Sequence, residues 1–183
     1  MPKGGEGKRD HFAEIALPLM DTVYTAAMYL SRNPDDAAEL LQDTYLRAYR
    51  GWNQFAVGTN CKAWLLTILH NAFRNRYRSQ SREPSMVEFD EFAHHVDDQS
   101  GSRDPSSVLA AQVLDADVEA ALRRLPGEFR EVVVLIDLQE LTYEEAARIV
   151  GCPIGTVRSR LARARAVLQK SLRQYAKERG IIR

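Results

Sequence analysis

The sequence has few cysteines, no long apolar run and no net charge, and each absence excludes a class of protein. Only Cys61 and Cys152 are present among 183 residues, too few for a disulfide framework or a four-cysteine zinc site. No apolar stretch approaches the roughly 18–20 residues that cross a bilayer. The polar segment from Met1 to Arg9 lacks the apolar part of a signal peptide. The sequence therefore predicts a protein of the reducing cytoplasm, without membrane insertion.

Residues that carry catalysis or hold metals are also scarce. The four histidines and two cysteines show no spacing typical of metal ligands. No phosphate-binding loop or nucleophile motif is present. We therefore expect a protein that is not an enzyme and has no metal and no cofactor.

The 25 basic and 25 acidic side chains are unevenly distributed along the chain. Segment 35–43 has four acids and no base, whereas segment 70–82 has four arginines and no acid. Segment 85–110 is acidic again, and the segment from 154 to the last residue has nine bases and one acid. Two basic segments with an acidic one between them favour two contacts with a polyanion, and the acids favour a different partner.

The pattern predicts an all-α protein with two small helical domains. Alanine, leucine, glutamate and arginine are abundant, and no convincing alternating run indicates a strand. The apolar run at 132–136 is interpreted as part of a helix from Glu128 to Leu138. A segment rich in serine and acids, with prolines near both ends, is typical of a flexible linker, which favours domains that move independently. The predicted parts are a tail over 1–11, a domain over 12–84, the linker over 85–112, a domain over 113–176 and a tail over 177–183.

The stretch from Leu141 to Leu168 has the pattern of a helix-turn-helix. Thr142 and Glu145 have the spacing of a capping box, and Gly151 suits the left-handed residue that ends the first helix. We expect the second helix to start near Thr156. Its apolar residues form one stripe, leaving arginines and small residues opposite. This is typical of a helix that reads a DNA major groove, although an ordinary helical hairpin with a basic surface has the same periodicity. The stripe consists of Val157, Leu161, Ala164 and Leu168.

Between Trp64 and Arg82, arginines and asparagines are interleaved with aromatic residues. Aromatic rings can stack on unpaired bases, arginines can follow the phosphates, and asparagine can bind base edges. The segment therefore favours contact with single-stranded or melted DNA. Leu65, Ile68 and Leu69, together with Trp64 itself, are more simply explained as core residues.

With these motifs the chain resembles the extracytoplasmic-function (ECF, group IV) RNA polymerase sigma factors of the sigma-70 family. The resemblance extends from about Phe12 to Leu172. The most specific motif is Gly155-Thr-Val-Arg-Ser-Arg-Leu-Ala-Arg-Ala-Arg165. The other similar segments are 36–48 (region 2.2), 55–82 (regions 2.3 and 2.4), Leu125-Pro-Gly-Glu-Phe-Arg130 (the start of region 4) and 143–165 (region 4.2). Segments 58–65 and 77–84 are most similar to the thiol-oxidative-stress branch.

The resemblance implies a transcription initiation factor that brings core RNA polymerase to promoters, reads their −35 and −10 elements and helps to melt the −10 DNA. The residues implied for docking on the clamp helices of the largest polymerase subunit are Asp36, Glu39, Leu40, Gln42, Asp43 and Leu46. Those implied for the −10 element are His70, Asn71, Phe73, Arg74, Asn75 and Arg78, with Asn71 holding a flipped base. Those implied for the −35 element are Thr156, Arg158, Ser159, Ala162 and Arg163.

The resemblance also implies further partners. These are the flap region of the polymerase and an anti-sigma factor that covers both domains and keeps the protein inactive, and the free protein is expected to be monomeric. Two alternatives stay open at this point. A stand-alone helix-turn-helix regulator would bind duplex DNA without polymerase, but would leave the acidic helix unexplained. A protein-interaction adaptor would bind no nucleic acid at all.

Overall fold

The computed structural model describes residues 6–80 and 116–180, and all regular elements in these ranges are helical. The all-α prediction is confirmed. The predicted linker at 85–112 lies outside the described residues.

The N-terminal unit consists of four α-helices. Asn33 shows why a new helix starts at Pro34, because its side-chain oxygen accepts hydrogen bonds from the backbone N–H groups of Asp35 and Asp36 at 2.8 and 3.2 Å. Pro34 occupies the first turn, where no donor is needed. The unit also has two short 3₁₀ turns, at Leu17–Leu19 and Trp52–Gln54. The helices are α1 (Glu6–Ala16), α2 (Met20–Ser31), α3 (Pro34–Arg50) and α4 (Cys61–Gln80).

α1 begins within the segment that the sequence analysis took for a tail. Its residue His11 accepts a hydrogen bond from the indole N–H of Trp52 at 3.3 Å, and Phe12 packs edge-on against the same indole. Trp52 also stacks on Phe55 with ring centroids 4.8 Å apart. This aromatic cluster fixes α1 to the rest of the unit, so residues 6–11 belong to the first domain.

The core of the N-terminal unit lies between α2, α3 and α4. Leu65 and Leu69 of α4 are buried, as expected, whereas Trp64 and Ile68 are half-buried at its edge. Val23 from α2 and Ala37 from α3 are also fully buried. Small residues on α2 and α3 allow the helices to approach closely, and the leucines of α4 fill the remaining space.

The C-terminal unit contains five α-helices and one π-helical turn among the described residues. The single helix expected from Glu128 to Leu138 is divided, because the α-helix Gly127–Val133 continues directly into a wider π turn at Val134–Leu138. The wider turn is closed by a hydrogen bond from the N–H of Gln139 to the carbonyl of Val134 at 2.9 Å. The helices are α5 (Ala116–Arg124), α6 (Gly127–Val133), α7 (Tyr143–Val150), α8 (Ile154–Ser171) and α9 (Arg173–Glu178).

The two units are packed against each other. α4 contacts α7 and α2 contacts α6, and the buried residues of both units form one continuous hydrophobic cluster. The predicted linker favoured domains that move independently, but the structure holds them together. The reason is that apolar residues on facing helices of the two units are removed from water by the contact.

Candidate nucleic-acid and polymerase interfaces

The first helix of the helix-turn-helix has the predicted start and end. The hydroxyl of Thr142 accepts a hydrogen bond from the N–H of Glu145 at 3.2 Å, and the Glu145 carboxylate accepts one from the N–H of Thr142 at 2.9 Å. Gly151 is left-handed, with φ +72°, and its N–H binds the carbonyl of Ala147 at 2.9 Å. The hydrogen bonds from Thr142 hold the pKa of the Glu145 carboxyl below its usual value.

The second helix, α8, starts at Ile154, two residues before the expected position. Its N-cap is Pro153, whose carbonyl accepts hydrogen bonds from the N–H groups of Thr156 and Val157 at 2.9 and 3.2 Å. Thr156 therefore lies inside the first turn and does not cap the helix. The expectation of a hydroxyl cap was wrong because proline, with its fixed φ, already sets the start.

α8 presents its predicted basic face to solvent. Val157, Leu161 and Ala164 are buried and Leu168 is half-buried, which confirms the apolar stripe. Four of the five residues predicted to read the −35 element are exposed on the other side, and Thr156 is half-buried. The exposed residues are Arg158, Ser159, Ala162 and Arg163.

The arginines of α8 fall into two groups. Arg160 forms an ion pair with Glu128 at 2.7 Å, and Arg165 binds both carboxylate oxygens of Asp137 at 2.5 and 3.1 Å. These two arginines fix α8 to α6 and the π turn. Arg158 lies over the Tyr143 ring, 5.6 Å from its centroid. Arg163, by contrast, forms no ion pair with any of the described residues, so its guanidinium is available to another molecule.

α4 carries the residues predicted for the −10 element on more than one face. Asn71, Arg74 and Asn75 are exposed. Phe73 is half-buried, and the side chain of Arg78 lies outside the described part of the chain. His70 is buried, with 2% of its surface exposed, so it is not on the surface in this conformation.

The acidic helix α3 has one face that is exposed to solvent. Glu39, Gln42 and Leu46 are exposed, and Asp36 and Asp43 are half-exposed on the same side. Arg76 from α4 binds Asp36 and Glu39 at 2.6 Å each, and Arg47 binds Asp43 at 2.8 Å. An acidic surface with an exposed leucine suits a basic protein partner.

Leu40 is not part of this face. Only 3% of its surface is exposed, because its position on α3 points into the core of the N-terminal unit. Tyr49 lies three residues after Leu46 on the same side of the helix, and it was not among the residues predicted for docking. Tyr49 and Leu46 are large apolar residues of α3 that remain exposed, by 40% and 50% of their surface respectively. The i, i+3 spacing in the sequence was the signal that could have found Tyr49.

The chain is similar to known proteins over both units. The family profile for Sigma-70 region 2 matches residues 17–83, and that for Sigma-70, region 4 matches residues 115–168. The ECF RNA polymerase sigma factor EcfG of Rhodopseudomonas palustris is 36% identical over 89% of this chain and 86% of its own length. The ECF RNA polymerase sigma factor SigE of Mycolicibacterium smegmatis is 33% identical over 96% of this chain and 66% of its own length.

A solved structure agrees with these sequence matches. The sigma factor RpoE of Bartonella quintana, in complex with the anti-sigma factor NepR, is 36% identical. The comparison has a TM-score of 0.67 and covers 89% of this chain and 97% of that one. The chain belongs to the ECF sigma factors.

In this sigma factor the N-terminal unit is region 2 and the C-terminal unit is region 4. The structure brings side chains of region 2 against region 4 at several points. Lys62 donates to the carbonyl of Gln139 at 2.5 Å, and Arg74 lies 3.5 Å from the carbonyl of Val150. His70 is bound to the Glu131 carboxylate. Two residues that were predicted for the −10 element, His70 and Arg74, thus have partners in region 4.

A further contact joins α2 of region 2 to the start of region 4. Arg32 and Arg130 both donate to the carbonyl of Leu125, at 3.0 and 3.1 Å. Burial, with the positive charge of Arg32 nearby, lowers the pKa of Arg130 to about 10. The two guanidinium groups are held together because one carbonyl oxygen accepts from both.

Neither a metal centre nor a membrane span is found in the described ranges. No group of three or more histidine, cysteine or acidic side chains there could hold a metal ion. No described helix is both long enough and apolar enough to cross a bilayer. Cys61 is buried, which raises the pKa of its thiol, and Cys152 is half-buried.

Proposed function

We propose that this ECF sigma factor uses α3, α4 and α8 as three separate contact surfaces during initiation. α3 binds core polymerase, α4 binds the −10 element, and α8 binds the −35 element. The observation that carries the proposal is the exposed face of α8, where Arg163 has no ion-pair partner among the described residues while Arg160 and Arg165 are both paired within region 4. Arg160 and Arg165 therefore stabilise the domain, whereas Arg163 is available to bind DNA.

The −35 contact is supported by the shape of α8. Ser159 and Ala162 are small and exposed, so the helix can approach base edges closely. Arg163 lies next to them and can bind guanine O6 and N7 with its two-pronged guanidinium. Arg158, held over Tyr143, is placed beside the same surface and suits a phosphate or a base edge.

The −10 contact is assigned to the exposed face of α4. Asn71 would hold a base that has been flipped out of the duplex, and Arg74 and Asn75 would bind the surrounding strand. Extruding a base costs a few kcal/mol, which hydrogen bonds to the base edge and stacking must offset. Asn71 and Asn75 lie one turn apart, so both amides can face the same strand.

The polymerase contact is assigned to the acidic face of α3. Leu46 and Tyr49 would form the apolar centre of this contact, with Asp36, Glu39 and Asp43 around it. The basic partner expected from the charge is a surface of the clamp helices on the largest polymerase subunit. We also infer contact of region 4 with the flap region.

We infer that the protein acts by binding and not by catalysis, as a cytoplasmic factor and as a monomer when free. The RpoE structure, which contains the anti-sigma factor NepR, supports an anti-sigma partner for this chain as well. Membership in the thiol-oxidative-stress branch stays a prediction from two short segments. The expected domain boundaries at 84 and 113 also stay predictions, because both positions lie outside the described residues.

The test is run-off transcription from a pool of genomic fragments, with core polymerase and with or without this protein. We expect new, discrete start sites that share two upstream elements. Asn71→Ala should reduce opening of these promoters while leaving the affinity for core unchanged, and Asn53→Ala, an exposed asparagine outside the three surfaces, is the matched control. Binding to duplex DNA without any new start sites would instead favour a stand-alone regulator.

A further inference from the structure

A cleft of about 760 Å³ lies between region 2 and region 4, and both regions form its walls. Region 2 contributes residues of α2, α3 and α4, and region 4 contributes residues of α6, α8 and the end of α7. Sites for small molecules commonly measure about 300–1,000 Å³, so the cleft has the size of a ligand site. We infer that it binds a small organic phosphate, in which a phosphate group is attached to an apolar or aromatic part.

Positive charge is in excess in the walls of this cleft. Five guanidinium groups line it, against three carboxylates. A phosphate monoester carries about −1.5 to −2 charges at neutral pH, which matches this excess. Each of the three carboxylates already binds a side chain of the cleft. The pairs are Asp36 with Arg76, Glu128 with Arg160, and Glu131 with His70.

Two further arginines of the cleft, Arg74 and Arg130, form no ion pair with any residue in the described ranges. Both donate instead to backbone carbonyl oxygens, Arg74 to that of Val150 at 3.5 Å and Arg130 to that of Leu125 at 3.1 Å. A carbonyl oxygen accepts a hydrogen bond but brings no full negative charge. Phosphate oxygens bring both, and a guanidinium can bind two of them at once.

Arg130 is the residue whose environment most clearly lacks an anion. Only 6% of its surface is exposed, and its Nε–H has no acceptor among the described residues. Arg32 donates to the same Leu125 carbonyl, so a second positive charge lies close to it. A buried charge is costly unless it is paired and hydrogen-bonded. Burial and the nearby Arg32 lower the pKa of Arg130 to about 10, as expected for a cation without enough negative charge around it.

A second buried group of the cleft also has an unused polar atom. His70 is 2% exposed, and its Nε2 binds Glu131, but its Nδ1 has no hydrogen-bond partner in the described ranges. Glu131 also attracts the charge of Arg130, so one carboxylate serves both groups. More than nine in ten buried polar groups have a partner, and two exceptions in the wall of one cleft indicate a missing ligand.

Apolar side chains favour an organic phosphate over inorganic phosphate. Leu30 and Leu40 of region 2 and Val150 of region 4 line the cleft, together with the half-buried ring of Phe73. An apolar part of the ligand would cover these side chains and remove them from water. A few converging polar groups among apolar ones are typical of small-molecule sites.

A ligand in this cleft would contact both regions at once. Because it binds the folded, packed chain and not the unfolded one, its binding should raise the temperature of unfolding. A DNA strand lies across exposed side chains, whereas Arg130 and His70 are almost completely covered. These two residues therefore suit a small molecule that enters the cleft.

The experiment measures the binding of inorganic phosphate and phenyl phosphate to the full chain without polymerase, by isothermal titration calorimetry and by thermal unfolding. We expect one site per chain, and a higher unfolding temperature with either compound. Phenyl phosphate should bind roughly tenfold more tightly, because its ring covers apolar side chains. Equal affinities would overturn the assignment to an organic phosphate, and absence of saturable binding would overturn the site.

Variants of the cleft locate the bound anion. Arg74→Gln and Arg130→Gln should each weaken phenyl phosphate binding roughly tenfold, since each removes a charged hydrogen-bond donor. Glu131→Gln should strengthen binding, because it removes a negative charge from the cleft. Arg148→Gln is the matched control, because Arg148 is an exposed arginine of α7 that also donates to a backbone carbonyl, that of Glu144 at 3.4 Å, but lies outside the cleft.

Equal weakening by Arg148→Gln would show that the anion is attracted only by general positive charge, and would overturn the site. If Arg130→Gln does not fold, Arg74→Gln decides the outcome, because Arg74 is exposed and its replacement leaves the core intact.

A third compound distinguishes a small-molecule site from a strand site. A short single-stranded oligothymidine should have the same affinity for wild type and for Arg130→Gln. If its affinity fell as much as that of phenyl phosphate, the phosphate would belong to DNA and the small-molecule site would be overturned. Run-off transcription tests the proposed function separately, because promoter start sites do not require this ligand. Absence of sigma-dependent starts, with phenyl phosphate binding intact, would reject that function alone.

Discussion

The guanidinium of Arg76 binds the carboxylate of Asp36 at 2.6 Å and so joins α4 to the acidic face of α3. A second carboxylate, Glu39, binds the same guanidinium at 2.6 Å. Residues two positions apart on a helix do not face the same way, so Arg76 points away from the side of α4 that carries Arg74. Neighbouring arginines of one basic run thus lie on different sides of α4.

Replacing Arg76 and Arg74 one at a time should affect different properties, the stability of the fold and the affinity for DNA. Arg76→Ala should lower the free energy of unfolding by about 0.5–1 kcal/mol, because the ion pairs are partly exposed to solvent, and should leave −10 binding intact. Arg74→Ala should weaken binding to single-stranded −10 DNA by the polymerase holoenzyme, with little change in stability. Urea unfolding and fluorescence anisotropy measure the two effects. Equal losses of DNA affinity in both variants would contradict this division.

Charge reversal on α3 should weaken polymerase binding without affecting the fold. Asp43→Lys should lower the affinity for core polymerase roughly tenfold or more, because a like charge then faces a basic partner. Glu119→Lys is the matched control, since Glu119 also forms an exposed i, i+4 pair, with Arg123 at 2.6 Å. Affinity is measured by fluorescence titration with core enzyme. An unchanged affinity for Asp43→Lys would remove α3 from the docking surface.

Much of the local structure was predictable because it depends on neighbouring residues. Asn33 caps α3, Thr142 and Glu145 form the capping box, and Gly151 ends α7 in the left-handed conformation. Each of these needs only a side chain and a backbone group within a few positions. The start of α8 was misjudged because Thr156 is a good cap by type, whereas Pro153 sets the helix start earlier.

Contacts between distant parts of the chain were not predictable in this way. Leu40 was assigned to the docking surface by the family resemblance, but its direction depends on where α2 and α4 pack. His70 was assigned to DNA, yet Glu131, 61 positions later, covers it. A long predicted segment between the two regions carries no information on whether they touch, and this contact is the main feature that the structure adds.

Recognition of the −35 element should depend on Arg163 and not on Arg165. Arg163→Ala should weaken binding to the −35 duplex by about 1–3 kcal/mol and relax the base preference at one position. Arg165→Ala should instead reduce stability, by about 0.5–1 kcal/mol, through loss of the pair with Asp137. Holoenzyme affinity for a panel of single-base promoter variants measures the first effect. An unaltered base preference in Arg163→Ala would exclude it from direct readout.

The capping box should make the stability of region 4 depend on pH in a defined direction. Hydrogen bonds from Thr142 lower the pKa of Glu145 in the folded state below its ordinary value of 4.5. The folded state therefore favours the carboxylate, so its stabilising effect is complete above the pKa of the unfolded chain. It is lost as the pH falls through the lower, folded-state pKa.

Glu145→Ala should therefore cost about 1 kcal/mol at pH 7, and this difference from wild type should narrow as the pH falls below about 4.5. Glu144→Ala is the control, because Glu144 lies in the same helical turn but its side chain makes no capping bond. Urea unfolding of the three proteins between pH 7 and the lowest pH at which the wild type stays folded measures the effect. A difference that stayed constant over this range would show that Glu145 acts through packing and not through its charge. Because Glu145 also accepts a hydrogen bond from Asn60, just before α4, the same loss of charge should weaken this contact between the two regions.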